Sequence, residues 1–187
     1  MFDLDRFTAD CRAALGSGRS GKNVQEVVAR AVAEPGSVLK ALGDPTRGAL
    51  QTLYRSSDLT ILNVVWAPHM YRVPHNHHMW AAIGIYTGRE DNIFWRRMRD
   101  GGAREIEAAG AKALCEREAV LLGSDIIHSV LNPIGRLTGA IHVYGGDFFA
   151  AEKSDWDAES LTERPWDPEQ AIRSFEEANA GHVPLGR

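Results

Sequence analysis

The chain has 187 residues, of which 44% are hydrophobic and 25% are charged, and its formal net charge is −4. This length and balance predict one soluble globular domain with a sizeable core. The acidic balance argues against nucleic acid as the main partner, and no apolar stretch is long enough to span a membrane.

The N-terminus and the cysteine content point to a compartment. The first ten residues, MFDLDRFTAD, are acidic and lack the basic and then apolar order of a signal peptide. Two cysteines, Cys11 and Cys115, are too few for a disulfide framework. We therefore expect a cytoplasmic protein with reduced thiols.

Three zones follow one another along the chain. Residues 1–48 are predicted to be helical, because the apolar residues of NVQEVVARAV recur at helical spacing between the turn-forming runs GSGRSGKN and EPGS. Residues 49–149 carry short, β-rich apolar runs separated by turn-formers such as TGREDN, which predicts an all-β barrel or sandwich. Residues 150–187 are predicted to be a polar tail with a short helix over 168–178. No low-complexity linker separates the zones, so one domain is expected.

The run VPHNHHMW contains three closely spaced histidines. Side chains alternate along a strand, so His75 and His77 share one face and His78 points the other way. Two imidazoles on one face can bind a metal if a distant residue supplies a third ligand. The candidates for that ligand are His69, His128, His142 and His182. The alternative is a polar patch at a strand end together with hydrogen-bonded core histidines.

Two segments carry a family resemblance. APHMYRVPHNHHMWAAIGIYTG resembles the first cupin motif, and LLGSDIIHSVLN resembles the second, in which Asn132 follows the histidine. The resemblance implies a mainly β fold, the cupin double-stranded β-helix (a small barrel or jelly roll), here with N-terminal α-helices. The implied ligands of one divalent metal are His75, His77 and His128. Ala81 and Ala82 stand where many cupins supply a glutamate, so the site is similar to the three-histidine subgroup.

Within that subgroup the sequence is similar to the thiol dioxygenases, of the cysteine dioxygenase and bacterial 3-mercaptopropionate dioxygenase type. The shared features are the His-x-His, the tryptophan Trp80 and the Ile-Gly pair that follows it. AIHVYGGDFF resembles the family's last core strand, where a Ser-x-His-x-Tyr relay is expected. His142 and Tyr144 match this relay and are the implied catalytic residues, whereas Ala140 replaces the serine. The family suggests Fe(II), although three imidazoles also suit Zn, Ni, Co or Mn.

A substrate carboxylate would require an arginine, which binds such groups through two hydrogen bonds. Arg55 in LYRSSDL resembles the family's carboxylate-binding arginine, and Arg72 is a second candidate because it lies close to the His-x-His. Either arginine is equally compatible with a place on the surface. Trp80 is expected to contribute to the core or to the wall of the substrate pocket.

Three classes of function remain open on the sequence alone. The first is a dioxygenase that oxidises a small thiol to its sulfinate, with the thiol and O2 as partners, in a monomer or homodimer. The second is another metal-dependent cupin enzyme, such as a non-thiol dioxygenase or an isomerase. The third is a non-catalytic cupin that binds a small molecule, because one fold hosts many functions.

Overall fold

The computed structural model describes residues 1–16, 20–99 and 106–181. Its helices are α1 (Leu4–Leu15), α2 (Ser20–Val32), α3 (Pro35–Leu42) and, after all the strands, α4 (Pro168–Gly181). The first strands are β1 (Ala49–Arg55), β2 (Thr60–Trp66), β3 (Tyr71–Asn76), β4 (Ala81–Thr87), β5 (Arg89–Arg97) and β6 (Ile106–Cys115). The remaining strands are β7 (Ala119–Leu122), β8 (Ile127–Leu131), β9 (Thr138–Tyr144), β10 (Ser154–Trp156) and β11 (Glu163–Pro165).

The strands form two antiparallel sheets that face each other. One sheet has the order β1-β2-β9-β4-β7, and the other has the order β11-β10-β3-β8-β5-β6. Strands β2 to β5 pass alternately from one sheet to the other, and so do β7 to β9, as in a jelly roll. The predicted fold class, a mainly β double-stranded β-helix with N-terminal helices, is confirmed. No helix in the described part of the chain is long and apolar enough to cross a membrane.

The N-terminal helices cover the outer face of the first sheet. Strand β4 comes so close to α2 that a Cβ at Gly84 would lie 2.5 Å from Val28 Cγ1 and 2.9 Å from Val32 Cγ1. Glycine at this position therefore lets the helix lie directly on the strand. The run EPGS separates α2 from α3 and also begins α3. Pro35 is the first residue of α3, a position at which its missing N–H costs no hydrogen bond.

Two parts of the chain form strands where the sequence did not predict them. The segment TGREDN was expected to be a turn, but β5 already begins at Arg89, after Gly88 has made the turn with a φ of 85°. Within the expected tail, β10 and β11 extend the second sheet, and Asp155 is the register partner of His75. Both departures have the same cause: polar residues with low strand propensity find buried partners that favour the strand.

Candidate metal centre and its cavity

The three histidines of the two motifs meet between neighbouring strands. His75 on β3 is directly paired with His128 on β8, so their side chains lie side by side on the inner face. His77 follows the end of β3 and turns toward the same point. One ring nitrogen from each residue can be chosen so that all three lie within 4.8 Å of one another. The structure thus brings together the three residues that the sequence predicted as metal ligands.

The spacing and protonation of these ligand histidines suit a metal ion. Nε2 of His77 lies 3.4 Å from Nε2 of His128, and two nitrogens at about 2.1 Å from one ion are roughly 3.2 Å apart at an angle near 100°. Burial lowers the pKa of His128 to about 4, and burial also lowers the pKa values of His75 and His77 well below the usual value. The three rings are therefore neutral at physiological pH, as metal binding requires.

Hydrogen bonds select the nitrogen that two of these rings present. Nδ1 of His75 lies 2.9 Å from the carbonyl oxygen of Val73, to which it donates. Nδ1 of His128 donates across 2.7 Å to Oδ1 of Asn92. A hydrogen on each Nδ1 leaves the lone pair on Nε2, which in His128 is the atom nearest to His77. Such second partners fix the tautomer and orientation of a ligating histidine.

The other histidines of the sequence analysis lie apart from this group. His78 is exposed and adopts a φ of 52°, with its ring against the side chain of Asn76. His69 lies in the connection between β2 and β3, and His142 is on β9 of the opposite sheet. His182 lies outside the described residues.

A buried polar network behind His128 was not found by sequence reasoning. Nδ2 of Asn92 donates across 2.9 Å to Oε1 of Glu90, whose Oε2 accepts from Nε1 of Trp66 at 2.7 Å. Burial would raise the pKa of Glu90, but the neighbouring His142 and these hydrogen bonds lower it below the usual value. Glu90 is therefore a buried carboxylate. The signal in the sequence is the spacing of Glu90, Asn92 and Phe94, which share one face of β5.

The predicted catalytic pair lies on the opposite wall. His142 and Tyr144, two residues apart on β9, both line the cavity, and Nδ1 of His142 is 3.0 Å from the Tyr144 hydroxyl. Nε2 of His142 is 3.4 Å from Oε2 of Glu90. The Tyr144 ring packs edge-on against His77, with centroids 5.1 Å apart. Burial, with a further contribution from Glu90, raises the pKa of Tyr144, so its hydroxyl stays protonated.

Two of the predicted substrate-binding residues are not brought to the cavity. Arg55 is half exposed at the end of β1, where its guanidinium makes a two-pronged ion pair with Asp147. Trp80 packs in the outer cluster beneath the N-terminal helices, with its ring against Gly21 and Gly145. The sequence resemblance could not reveal this, because it does not specify which face of the sheet each side chain covers.

Arg72, the second predicted arginine, does line the cavity. Its Nη2 donates to both carboxylate oxygens of the fully buried Asp155, at 2.9 and 2.8 Å. Burial raises the pKa of Asp155, and Arg72 opposes this effect. Both hydrogen bonds use the same nitrogen, so Nε and Nη1 of Arg72 have no hydrogen-bond partner within the described ranges. Asp155 thus fixes the arginine while other donors of the guanidinium remain available.

The cavity that the three histidines line has a volume of about 420 Å³. One end is formed by the polar groups described above. The rest of its wall is largely apolar and aromatic, with members from the first sheet, from the loops after β9 and β11 and from α4: Leu50, Val64, Trp66, Phe148, Phe149, Trp166, Ile172 and Phe175. Helix α4 is fixed over this side by stacking of Phe175 on Trp66, with centroids 5.5 Å apart, and by Asn179, which bonds both backbone groups of Gly48.

Comparison with solved structures finds double-stranded β-helix proteins at low sequence identity, and no protein-family model matches the chain. An RmlC-like cupin family protein from Methanocaldococcus jannaschii is 11% identical, with a TM-score of 0.47 over 57% of this chain and 87% of that protein. An uncharacterized conserved protein with a double-stranded β-helix domain from Klebsiella pneumoniae is 11% identical, with a TM-score of 0.46 over 60% and 83%. The DMSP lyase DddQ from Ruegeria pomeroyi is 18% identical, with a TM-score of 0.46 over 61% and 54%.

Proposed function

We propose that the chain is a metal-dependent dioxygenase that oxidises a thiol acid, of the cysteine or 3-mercaptopropionate type, to its sulfinate. Both atoms of O2 are added to sulfur, so that R–SH and O2 give R–SO2H without a further reductant. The observation that carries the proposal is the placement of three neutral histidines and the Tyr144 phenol on the wall of one cavity.

The donor set supports a divalent ion held by His75, His77 and His128. Three neutral imidazoles would leave such an ion its full charge, with which it would lower the pKa of a thiol and supply the chemistry that activates O2. Fe(II) is the ion that we propose, because it is the metal of the thiol dioxygenases that the sequence resembles.

His142 and Tyr144 are suited to removing the proton of the thiol. The carboxylate of Glu90 favours a hydrogen on the facing Nε2 of His142, which leaves Nδ1 to accept the hydroxyl hydrogen of Tyr144. A proton taken up by the Tyr144 oxygen can then pass to His142, and Glu90 stabilises the resulting imidazolium. The family's serine is replaced by Ala140, and in this proposal Glu90 supports the histidine instead.

We assign the acid group of the substrate to Arg72. Its Nη2 is engaged by Asp155, and its other donors are available to a carboxylate in the cavity. The buried ion pair fixes the direction of the guanidinium before substrate binds, which reduces the entropy lost on binding. Arg55 has no such role, because Asp147 holds it outside the cavity.

The test is oxygen uptake by protein reconstituted with Fe(II), measured on a panel of thiol acids and of acids without a thiol. We expect one O2 consumed per thiol, with a product heavier by two oxygen atoms. The His77→Ala variant, which lacks one ligand, provides the inactive control. Uptake with non-thiol substrates alone would indicate another metal-dependent cupin enzyme, and inert metal-loaded protein would indicate a binding protein.

A further inference from the structure

The cavity is larger than the proposed head group requires. A three-carbon mercapto acid has six non-hydrogen atoms and fills roughly 180 Å³, if each atom takes about the 30 Å³ of a liquid water molecule. This is less than half of the 420 Å³ available. A small thiol acid would therefore leave most of the cavity to water.

The space left over is lined by groups that favour an apolar ligand. Beyond the polar end, the wall is formed by aromatic rings from the loop after β9, from the segment between β11 and α4, and from α4 itself, namely Phe149, Trp166 and Phe175. Water in such surroundings finds few hydrogen-bond partners, so that an apolar group displaces it favourably.

The mouth of the cavity also carries side chains that favour an apolar ligand. Leu50 on β1 and Ile172 on α4 both line the cavity, and they expose 40% and 61% of their surface. An apolar ligand group that reaches the mouth would cover these two side chains. Charged groups, Arg47 and Glu176, also line the cavity.

From this arrangement we infer that the substrate is a thiol acid that carries an apolar arm of about five carbons. The inference rests on the proposed function for the head of the substrate and adds its second half. At about 30 Å³ for each carbon, the head and arm together occupy roughly 330 Å³ of the cavity. The polar end binds the thiol and the acid, and the α4 side binds the arm.

The affinity of a homologous series tests the arm directly. The probes are 3-mercaptopropionate, 3-mercaptohexanoate and 3-mercaptooctanoate, titrated calorimetrically into Fe(II)-loaded protein without oxygen, so that binding is measured without turnover. Burial of a methylene is worth about 0.8 kcal/mol, so we expect a gain in affinity of about fourfold for each carbon and of several hundredfold over the five carbons of the series.

Two charge substitutions on the same helix show where the arm binds. Ile172→Glu places a carboxylate in the apolar wall and should reduce the gain from the longest arm by tenfold or more. Gln170→Glu adds the same charge on the opposite face of α4, outside the cavity lining, and should leave the gain unchanged. Equal losses in both variants would contradict binding of the arm along this wall.

The outcomes separate this inference from the proposed function. If the three thiols bind equally well, the apolar arm is refuted, while oxygen uptake with 3-mercaptopropionate would still support a thiol dioxygenase. If none of the three binds and none is oxidised, both the arm and the thiol chemistry are refuted. If propanoate, hexanoate and octanoate, which have no thiol, gain affinity with length as the mercapto acids do and no thiol is oxidised, the arm is supported and the thiol chemistry is refuted.

Discussion

The hydrogen bond from His128 to Asn92 makes a quantitative prediction about metal affinity. In Asn92→Leu, a side chain of similar volume removes the acceptor of the His128 Nδ1–H, which lies 2.7 Å away, and the donor to Glu90. Without metal the imidazole can move its hydrogen to the other nitrogen. With metal on Nε2 the hydrogen must stay on Nδ1, buried and without a partner. The cost of that unpaired N–H, about 1–3 kcal/mol, therefore falls mainly on the metal-bound state.

We accordingly expect Asn92→Leu to bind metal about 10- to 100-fold more weakly, a loss of about 1.4–2.7 kcal/mol. The assay is competition for Zn(II) with a chromophoric chelator. Asn63→Leu is the matched control, because Asn63 also has a buried hydrogen-bonded amide but lies on β2 with Tyr86 and Gln51 as its partners. Wild-type metal affinity in Asn92→Leu, or an equal loss in both variants, would refute the reasoning.

The remaining predictions concern the ligands, the phenol and the buried ion pair. Alanine at any one of the three ligand histidines should reduce metal content well below one per chain, whereas His78→Ala should keep it; full occupancy in the ligand variants would exclude the site. Tyr144→Phe should retain metal, and its turnover should fall by about ten- to a hundredfold, which corresponds to about 1.4–2.7 kcal/mol. Tyr86→Phe, which removes a buried hydroxyl elsewhere, is the control and should keep the wild-type turnover. Equal rates in wild type and Tyr144→Phe would remove the phenol from the mechanism. Asp155→Asn should lower the free energy of unfolding by about 3 kcal/mol, because Arg72 loses its buried counter-charge, and an unchanged urea midpoint would contradict this.

The sequence predicts that His75, His77 and His128 come together, because these residues lie in two short motifs at or next to regular strands. The first motif supplies His75 at the end of β3 and His77 just beyond it, and the second motif supplies His128, which the register of β3 and β8 places beside His75. Each step depends on local pattern or on a resemblance that specifies the same positions. The fold class is predictable for the same reason, since turn-formers separate the apolar runs.

The buried hydrogen-bond network behind His128 could not be predicted from the local sequence pattern. Glu90 and Asn92 have low strand propensity and follow a glycine, so the local pattern predicts a turn. They form a strand because Trp66 and His128, which are distant in the sequence, supply hydrogen bonds that offset the desolvation cost of burying their polar side chains. For Arg55 the sequence pattern predicted a role that the structure does not support. Its position before β2 matches the motif of a carboxylate-binding arginine, but its guanidinium is bound by Asp147 outside the cavity.

The division of the cavity between sheets and helix has a consequence for how such a protein can diversify. The three clustered histidines and the phenol lie on or next to strands of the two sheets, whereas Ile172 and Phe175 belong to α4. The helix is attached through a few contacts, chiefly the stack on Trp66 and the paired bonds of Asn179. Exchanging the side chains of one helical face would therefore change which molecules fit the cavity while leaving the three histidines and the phenol in place. Homologues with the same histidines and a different α4 should therefore catalyse the same type of reaction on substrates with different side chains.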